Sequence, residues 1–138
     1  MTNKKIIITG GAGYIGCHVV EELINSNYQV VVIDRLSFDA NSLDSVKNNK
    51  NLTIVKEDLR NVSNLEAHLN GAEAVIHLAA LVGEAACNIS ESDSISINYD
   101  ATIRLCDLAR KSKVKKFIFM STASSYGVQA INEIANEK

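Results

Sequence analysis

The chain has 138 residues, 46% hydrophobic and 22% charged, with a mean hydropathy of +0.03; this is the make-up of one globular domain, 1–138, and excludes a disordered or low-complexity tract. A formal net charge of −2 and a pI near 5.9 leave no basic footprint for nucleic acid or an anionic membrane. Its longest apolar runs, such as Ala79–Val82, fall far short of the roughly 20 residues that span a bilayer.

Met1–Lys5 leads straight into a strand-like run with no apolar h-region, which predicts no signal peptide. Cys17, Cys87 and Cys106 are odd in number and in no ligand spacing, so disulfides and metal are not expected and a cytoplasmic setting is. Ile6–Thr9 is β-branched, short and uninterrupted, as in a strand buried on both faces of a parallel sheet. Tyr14–Ser26 predicts a helix with Ile15, Val19 and Leu23, and Val20 and Ile24 beside them, turned inward. A turn at Asn25–Tyr28 leads to a second strand, Val30–Ile33, ending on Asp34. Arg35–Asn51 is polar, with a short helix expected around Ser42–Asn48 before a third strand, Leu52–Val55. Val62–Leu69 predicts a short helix capped by Ser63 or Asn61, and Ala74–Leu78 a fourth strand. A loop follows, then Ile97, Ala101, Leu105 and Leu108 recur at helical spacing, so roughly 94–112 is a long helix. Phe117–Met120 is a fifth strand, with irregular chain beyond it. Strands alternating with helices imply right-handed crossovers and an α/β, Rossmann-like doubly wound parallel sheet, cut short after about five strands.

Between the first strand and first helix runs Thr9-Gly10-Gly11-Ala12-Gly13-Tyr14-Ile15-Gly16. In that context the glycines at 10, 13 and 16 have a mechanism: a tight turn, backbone approach to a pyrophosphate, and close packing of helix on strand. Free amides at the helix start, aided by the macrodipole, would hold the phosphates. Asp34, eighteen residues after Gly16, stands where an acid hydrogen-bonds a ribose 2′-OH, which favours NAD over NADP. Arg35 is read as a solvated loop charge; turned inward it would instead partner a 2′-phosphate.

From these residues onward the chain resembles the extended short-chain dehydrogenase/reductases, the NAD-dependent epimerase/dehydratases. Thr9–Gly16 resembles their TGxxGxxG turn, and Asp58-Leu59 the acid–aliphatic pair that seats adenine. His77-Leu78-Ala79-Ala80 is similar to their HxAA element, which passes the cofactor. Asn98–Thr102 is similar to NxxGT with Ala101 in place of glycine, and Ser121–Gly127 resembles SSxxxYG. The resemblance implies a nucleotide-sugar substrate, Thr122 as a catalytic hydroxyl, and Asn98 as an organiser of the active site and cofactor region. Read from spacing alone, the Ser/Thr cluster around Thr122 serves equally well to satisfy local backbone groups. Val82 stands near the place of a cofactor-contacting lysine in some members, and Gly83–Asn88 would line the substrate side.

The family's Tyr-x-x-x-Lys pair, in which lysine lowers the tyrosine pKa, is missing. Tyr14, Tyr28, Tyr99 and Tyr126 are followed four residues later by His18, Val32, Ile103 and Ala130. Members are typically more than twice this length, and the lack of proline fits the loss of their later proline-rich stretches. The expectation is therefore the cofactor half of an epimerase/dehydratase, not competent alone; a non-catalytic dinucleotide-binding or partner-binding module is the rival reading. An uncovered sheet edge after Phe117–Met120 is expected to drive dimerisation or other self-association. His18 reads as a structural or surface residue, His68 as a surface one and His77 as a packed, hydrogen-bonded one. Cys17 and Cys106 read as small hydrophobes, and Arg110–Lys116 as a solvated helix end.

Overall fold

The runs expected to form strands do so, in parallel. In the computed structural model, which describes residues 4–37 and 41–127, they are β1 (Lys5–Thr9), β2 (Gln29–Asp34), β3 (Leu52–Lys56), β4 (Ala72–His77) and β5 (Lys116–Phe119). Among the described residues they make one sheet in the order β3-β2-β1-β4-β5. Register pairs Ile6 with Val30 and Ile8 with Val32 on one side of β1, and Ile8 with Ile76 and Thr9 with His77 on the other. The strand order reverses direction between β1 and β4, the place where doubly wound sheets open a crevice at their carboxyl ends.

Alternation along the central strands feeds two cores. Ile7, Ile33 and Val75 pack under α2 (Leu65–Leu69) and α5 (Ala101–Lys111), against Leu65, Leu69, Ala101, Leu105 and Ala109. Ile6, Ile8, Val30 and Val32 face the other way, onto Val20 and Ile24 of α1 (Tyr14–Asn25) and onto Leu43 and Val46. Each of the buried Val, Ile and Leu side chains contributes about 1.5–3 kcal/mol of burial. Helix α1 ends as the turn at Asn25–Tyr28 predicts: Asn27 adopts φ 63°, and the Tyr28 and Asn27 amides return to Leu23 and Ile24 carbonyls, each at 3.0 Å.

Four expectations need correction. The inward stripe of α1 is Gly16, Val20 and Ile24, while Ile15 is 55% exposed, because Gly16 rather than a bulky residue sits nearest the glycine turn. Residues 42–48 form hydrogen-bonded turns instead of an α-helix: each amide reaches back three residues, Asp44 to Asn41, Val46 to Leu43 and Asn49 to Val46, which is enough to bury Leu43 and Val46. Helix α2 begins at Leu65 rather than Val62, since Asn64 takes a left-handed φ of 55°; neither Ser63 nor Asn61 caps it, and the Ser63 amide goes to the Glu57 carboxylate at 2.6 Å. The segment expected as a loop and one long helix is α3 (Glu84–Ile89), α4 (Glu91–Ile95), a π-turn at Ser96–Asp100, then α5. Ser90 caps α4 by accepting from the Asp93 amide at 3.2 Å. No helix of the described residues is long and apolar enough to cross a membrane.

Candidate functional site

All the loops that the sequence singles out leave the carboxyl edge of the sheet. In the glycine turn the Gly10 amide donates to the Ile33 carbonyl at 2.9 Å and the Gly13 amide to the Gly10 carbonyl at 3.1 Å. The first helical bond of α1 runs from Cys17 to Gly13, at 3.0 Å. The amides of Tyr14, Ile15 and Gly16 thus open the helix with no acceptor inside it. Gly13, at the cap position, supplies no side-chain oxygen, and the first turn holds no acid. Tyr14 is 89% exposed.

Packing accounts for two of the glycines. Gly10 has φ +70°, and a Cβ there would stand 2.6 Å from the Ala79 amide nitrogen; at Gly16 it would stand 2.3 Å from the Gly10 oxygen. At Gly13 a Cβ would meet only the Gly10 oxygen, at 3.2 Å. The missing side chain at Gly13 therefore clears the outer face of the turn rather than its interior, which fits an anion approaching the helix start.

Asp34 closes the mouth of this turn. Its carboxylate accepts the Ala12 amide at 3.0 Å and the Leu36 amide at 2.8 Å, leaving each oxygen capacity for a further donor. Arg35 donates to Asp58 at 3.2 Å. Asp58 is held by a second guanidinium in bidentate fashion: Arg60 Nε reaches Oδ1 at 3.0 Å and Nη2 reaches Oδ2 at 2.8 Å. The Arg60 hydrogen bonds hold the Asp58 carboxyl well below the usual carboxylate range against the opposing effect of burial, with Arg35 adding to them. Arg60 continues to Asp93 at 2.7 Å and Ser96 at 3.1 Å, tying the loop after β3 to α4 and the π-turn. Arg104 secures the same loop through the Leu59 and Arg60 carbonyls, both at 3.0 Å. Leu59 itself is buried in the core beneath the loop. Arg60, Asp93 and Arg104 carry no signal in the sequence, because their importance lies in spans of 33 and 45 residues that only folding closes.

After β4 the Leu78 amide donates to the Thr9 carbonyl at 3.0 Å. Leu78 and Ala79 are half-buried and Ala80 is exposed. The Asn98 side chain pairs with the backbone of Leu81 in both directions, accepting its amide at 2.7 Å and donating to its carbonyl at 2.9 Å. Asn98 thus meets the loop after β4 rather than standing apart from it. Thr122 follows β5 and is exposed; its carbonyl accepts the Ser125 amide at 3.2 Å and hydroxyl at 2.7 Å in a single 3₁₀ turn, Ala123–Tyr126.

Comparison with known proteins bears on what this edge of the sheet is. A family model described as the NAD dependent epimerase/dehydratase family matches residues 6–138. The chain belongs to the NAD-dependent epimerase/dehydratase family. Within it, the chain is 39% identical over 142 residues to UDP-glucose 4-epimerase of Bacillus subtilis, covering 96% of this chain and 40% of that relative. A UDP-N-acetylglucosamine 4-epimerase from Methanobrevibacter ruminantium, solved with UDP-N-acetylmuramic acid, superposes with a TM-score of 0.90 at 33% identity, over 100% of this chain and 44% of that one. A UDP-glucuronic acid 4-epimerase from Bacillus cereus, solved with UDP-glucuronic acid and NAD, gives a TM-score of 0.82 at 32% identity over 91% and 42% of the two chains. The chain thus spans about two-fifths of the length of the B. subtilis relative.

Proposed function

We propose that this chain is the cofactor-binding portion of a nucleotide-sugar epimerase or dehydratase that works with NAD. The observation that carries the reading is Asp34, fixed by two backbone amides at the mouth of a glycine turn whose helix start has neither a side-chain cap nor an acid. The Tyr14, Ile15 and Gly16 amides would donate to the pyrophosphate, and the positive end of the α1 dipole would favour its charge. Asp34 would accept the adenosine ribose hydroxyls and repel a 2′-phosphate. Arg35, the residue placed to neutralise such a phosphate, is engaged with Asp58 instead, which supports NAD over NADP. The Leu78–Ala80 segment would back the cofactor, with Asn98 acting on it through Leu81.

Bound NAD would supply a site that takes up and returns a hydride at a sugar carbon. Thr122, three residues past the end of β5, would hydrogen-bond the reacting sugar oxygen. Relatives named for UDP-sugars support a UDP-sugar substrate. Because none of the four tyrosines has a lysine four residues on, the 138-residue chain lacks the proton-transfer pair and gives no turnover alone.

Calorimetric titration of the chain with NAD and NADP tests this reading, alongside Asp34→Asn, which keeps the shape and removes the charge. NAD is expected to bind more tightly than NADP, and the variant to narrow that gap. Absence of NAD binding, or equal binding of both by the wild-type chain, refutes the assignment; sugar epimerisation by the chain alone refutes its incompetence.

A further inference from the structure

Two sequence elements that sit 21 residues apart, His77 and Asn98, are joined through the interior by a line of hydrogen bonds. His77 and Thr9 are 2% and 0% exposed, the buried polar residues among those described. Thr9 Oγ1 lies 2.5 Å from His77 Nδ1, and His77 Nε2 lies 2.8 Å from Thr102 Oγ1. Thr102 Oγ1 also lies 2.8 Å from the Asn98 carbonyl, while Thr9 Oγ1 is 3.4 Å from the Ala79 amide.

Proton counting gives this line one direction. A carbonyl has no proton, so the single Thr102 hydroxyl proton goes to Asn98 O, and Thr102 Oγ1 must accept from His77 Nε2–H. A neutral ring protonated on Nε2 leaves Nδ1 as an acceptor, which takes the Thr9 hydroxyl proton. Thr9 Oγ1 is then free to accept the Ala79 amide. Every donor has an acceptor, as buried polar groups require.

We propose that His77, held as the neutral Nε2–H tautomer, is a positioning residue that links β1 and the Ala79 amide to the Asn98–Leu81 clamp, and so sets the loop against which the cofactor lies. The relay crosses β1, β4 and α5, and each end touches the 78–81 loop: one at the Ala79 amide, the other at the residue whose side chain grips Leu81. The groups facing the ring are uncharged: Thr9 from β1, Thr102 from α5, and Phe117 and Phe119 from β5, the last stacked at 5.8 Å. Burial accordingly pushes the His77 pKa down.

The link to the cofactor rests on the functional reading above; the relay itself does not. Nitrogen-15 NMR of the 138-residue chain distinguishes the tautomers of its three histidines directly. His77 is expected to show a protonated Nε2 and a bare Nδ1, and to stay neutral below the ordinary histidine midpoint of about 6.5. An Nδ1–H tautomer, or a charged ring at neutral pH, overturns the proposal without any variant being made.

Thr102→Val removes the acceptor at nearly constant volume. It is expected to mix the His77 tautomers and to speed amide exchange at Leu81 about two- to tenfold, the ratio carried by one ordinary hydrogen bond. Exchange at Val75 should be unchanged, and Thr102→Ser should restore both readouts. Equal acceleration at Val75 and Leu81, or no change at Leu81, overturns the relay. NAD affinity should fall with Thr102→Val and recover with Thr102→Ser; a loosened Leu81 with NAD affinity intact overturns the link to the cofactor. If wild-type chain binds no NAD, the functional reading fails while the tautomer and exchange measurements still decide the relay.

Discussion

Replacing Gly10 by alanine tests how tightly the glycine turn is wedged against the loop after β4. Two costs coincide there. The φ of +70° places the residue in the left-handed region, which costs an L-residue about 1–2 kcal/mol. The new Cβ would also stand 2.6 Å from Ala79 N and 2.8 Å from Leu78 C, both backbone atoms unable to rotate aside. Such overpacking costs about 1–3 kcal/mol, and lost freedom of the unfolded chain returns about 0.4–1 kcal/mol. A net loss of about 1–4.5 kcal/mol is expected, which at its upper end is a large share of the 5–15 kcal/mol of an ordinary domain. Two controls separate the terms. Gly71 has φ +72° with nothing within 4 Å of a Cβ, so Gly71→Ala carries strain alone. At Gly16 no left-handed φ is involved and the Cβ would stand 2.3 Å from Gly10 O, so Gly16→Ala carries the contact alone. Urea unfolding should rank Gly10→Ala lowest in midpoint, Gly71→Ala closest to wild type, and leave the slope unchanged. If Gly10→Ala is no worse than Gly71→Ala, the turn does not press on Ala79, and the account of the crevice between β1 and β4 is wrong.

Other perturbations probe separate parts of the chain. Leu105→Ala, at a fully buried position between α5 and the sheet, should cost about 2–5 kcal/mol in the same urea assay; a loss below 1 kcal/mol would contradict that core. Asp58 has a folded pKa depressed mainly by Arg60, so its contribution to stability is present above the unfolded value of about 3.9 and is lost as pH falls below it. Asp58→Asn should flatten the acid limb of a stability-versus-pH curve, and an unaltered limb would show that Arg60 does not hold the carboxylate. On β5 and the residue after it, Ile118, Phe119 and Met120 are 45%, 54% and 52% exposed, and sedimentation should show concentration-dependent self-association that Phe119→Lys weakens. A wild-type chain that stays monomeric at every concentration would dispose of that expectation.

Local pattern was enough for the sheet and for bringing the candidate residues to its carboxyl edge. Uninterrupted β-branched runs such as Ile6–Thr9 and Val30–Ile33 have only one comfortable home, between two helical layers, and glycines at 10, 13 and 16 before a helix leave backbone amides facing outward. Asp34 at the end of its strand was legible for the same reason: strand end and glycine turn are set by near neighbours. What sequence spacing could not show is which side chains meet across the fold. Arg35 was a loop charge until Asp58 captured it, and the role of Arg60 depends on Asp93 arriving from α4. The 42–48 helix failed because burial of Leu43 and Val46 needs only turns, and α2 started late because Asn64 accepts a left-handed backbone. His77 and Asn98 belong to separate stretches of chain, and only parallel pairing of β1 with β4, under α5, makes one hydrogen-bonded unit of them. Secondary structure follows short-range sterics and periodicity, whereas partner choice among polar groups waits on long-range contacts that no local pattern encodes.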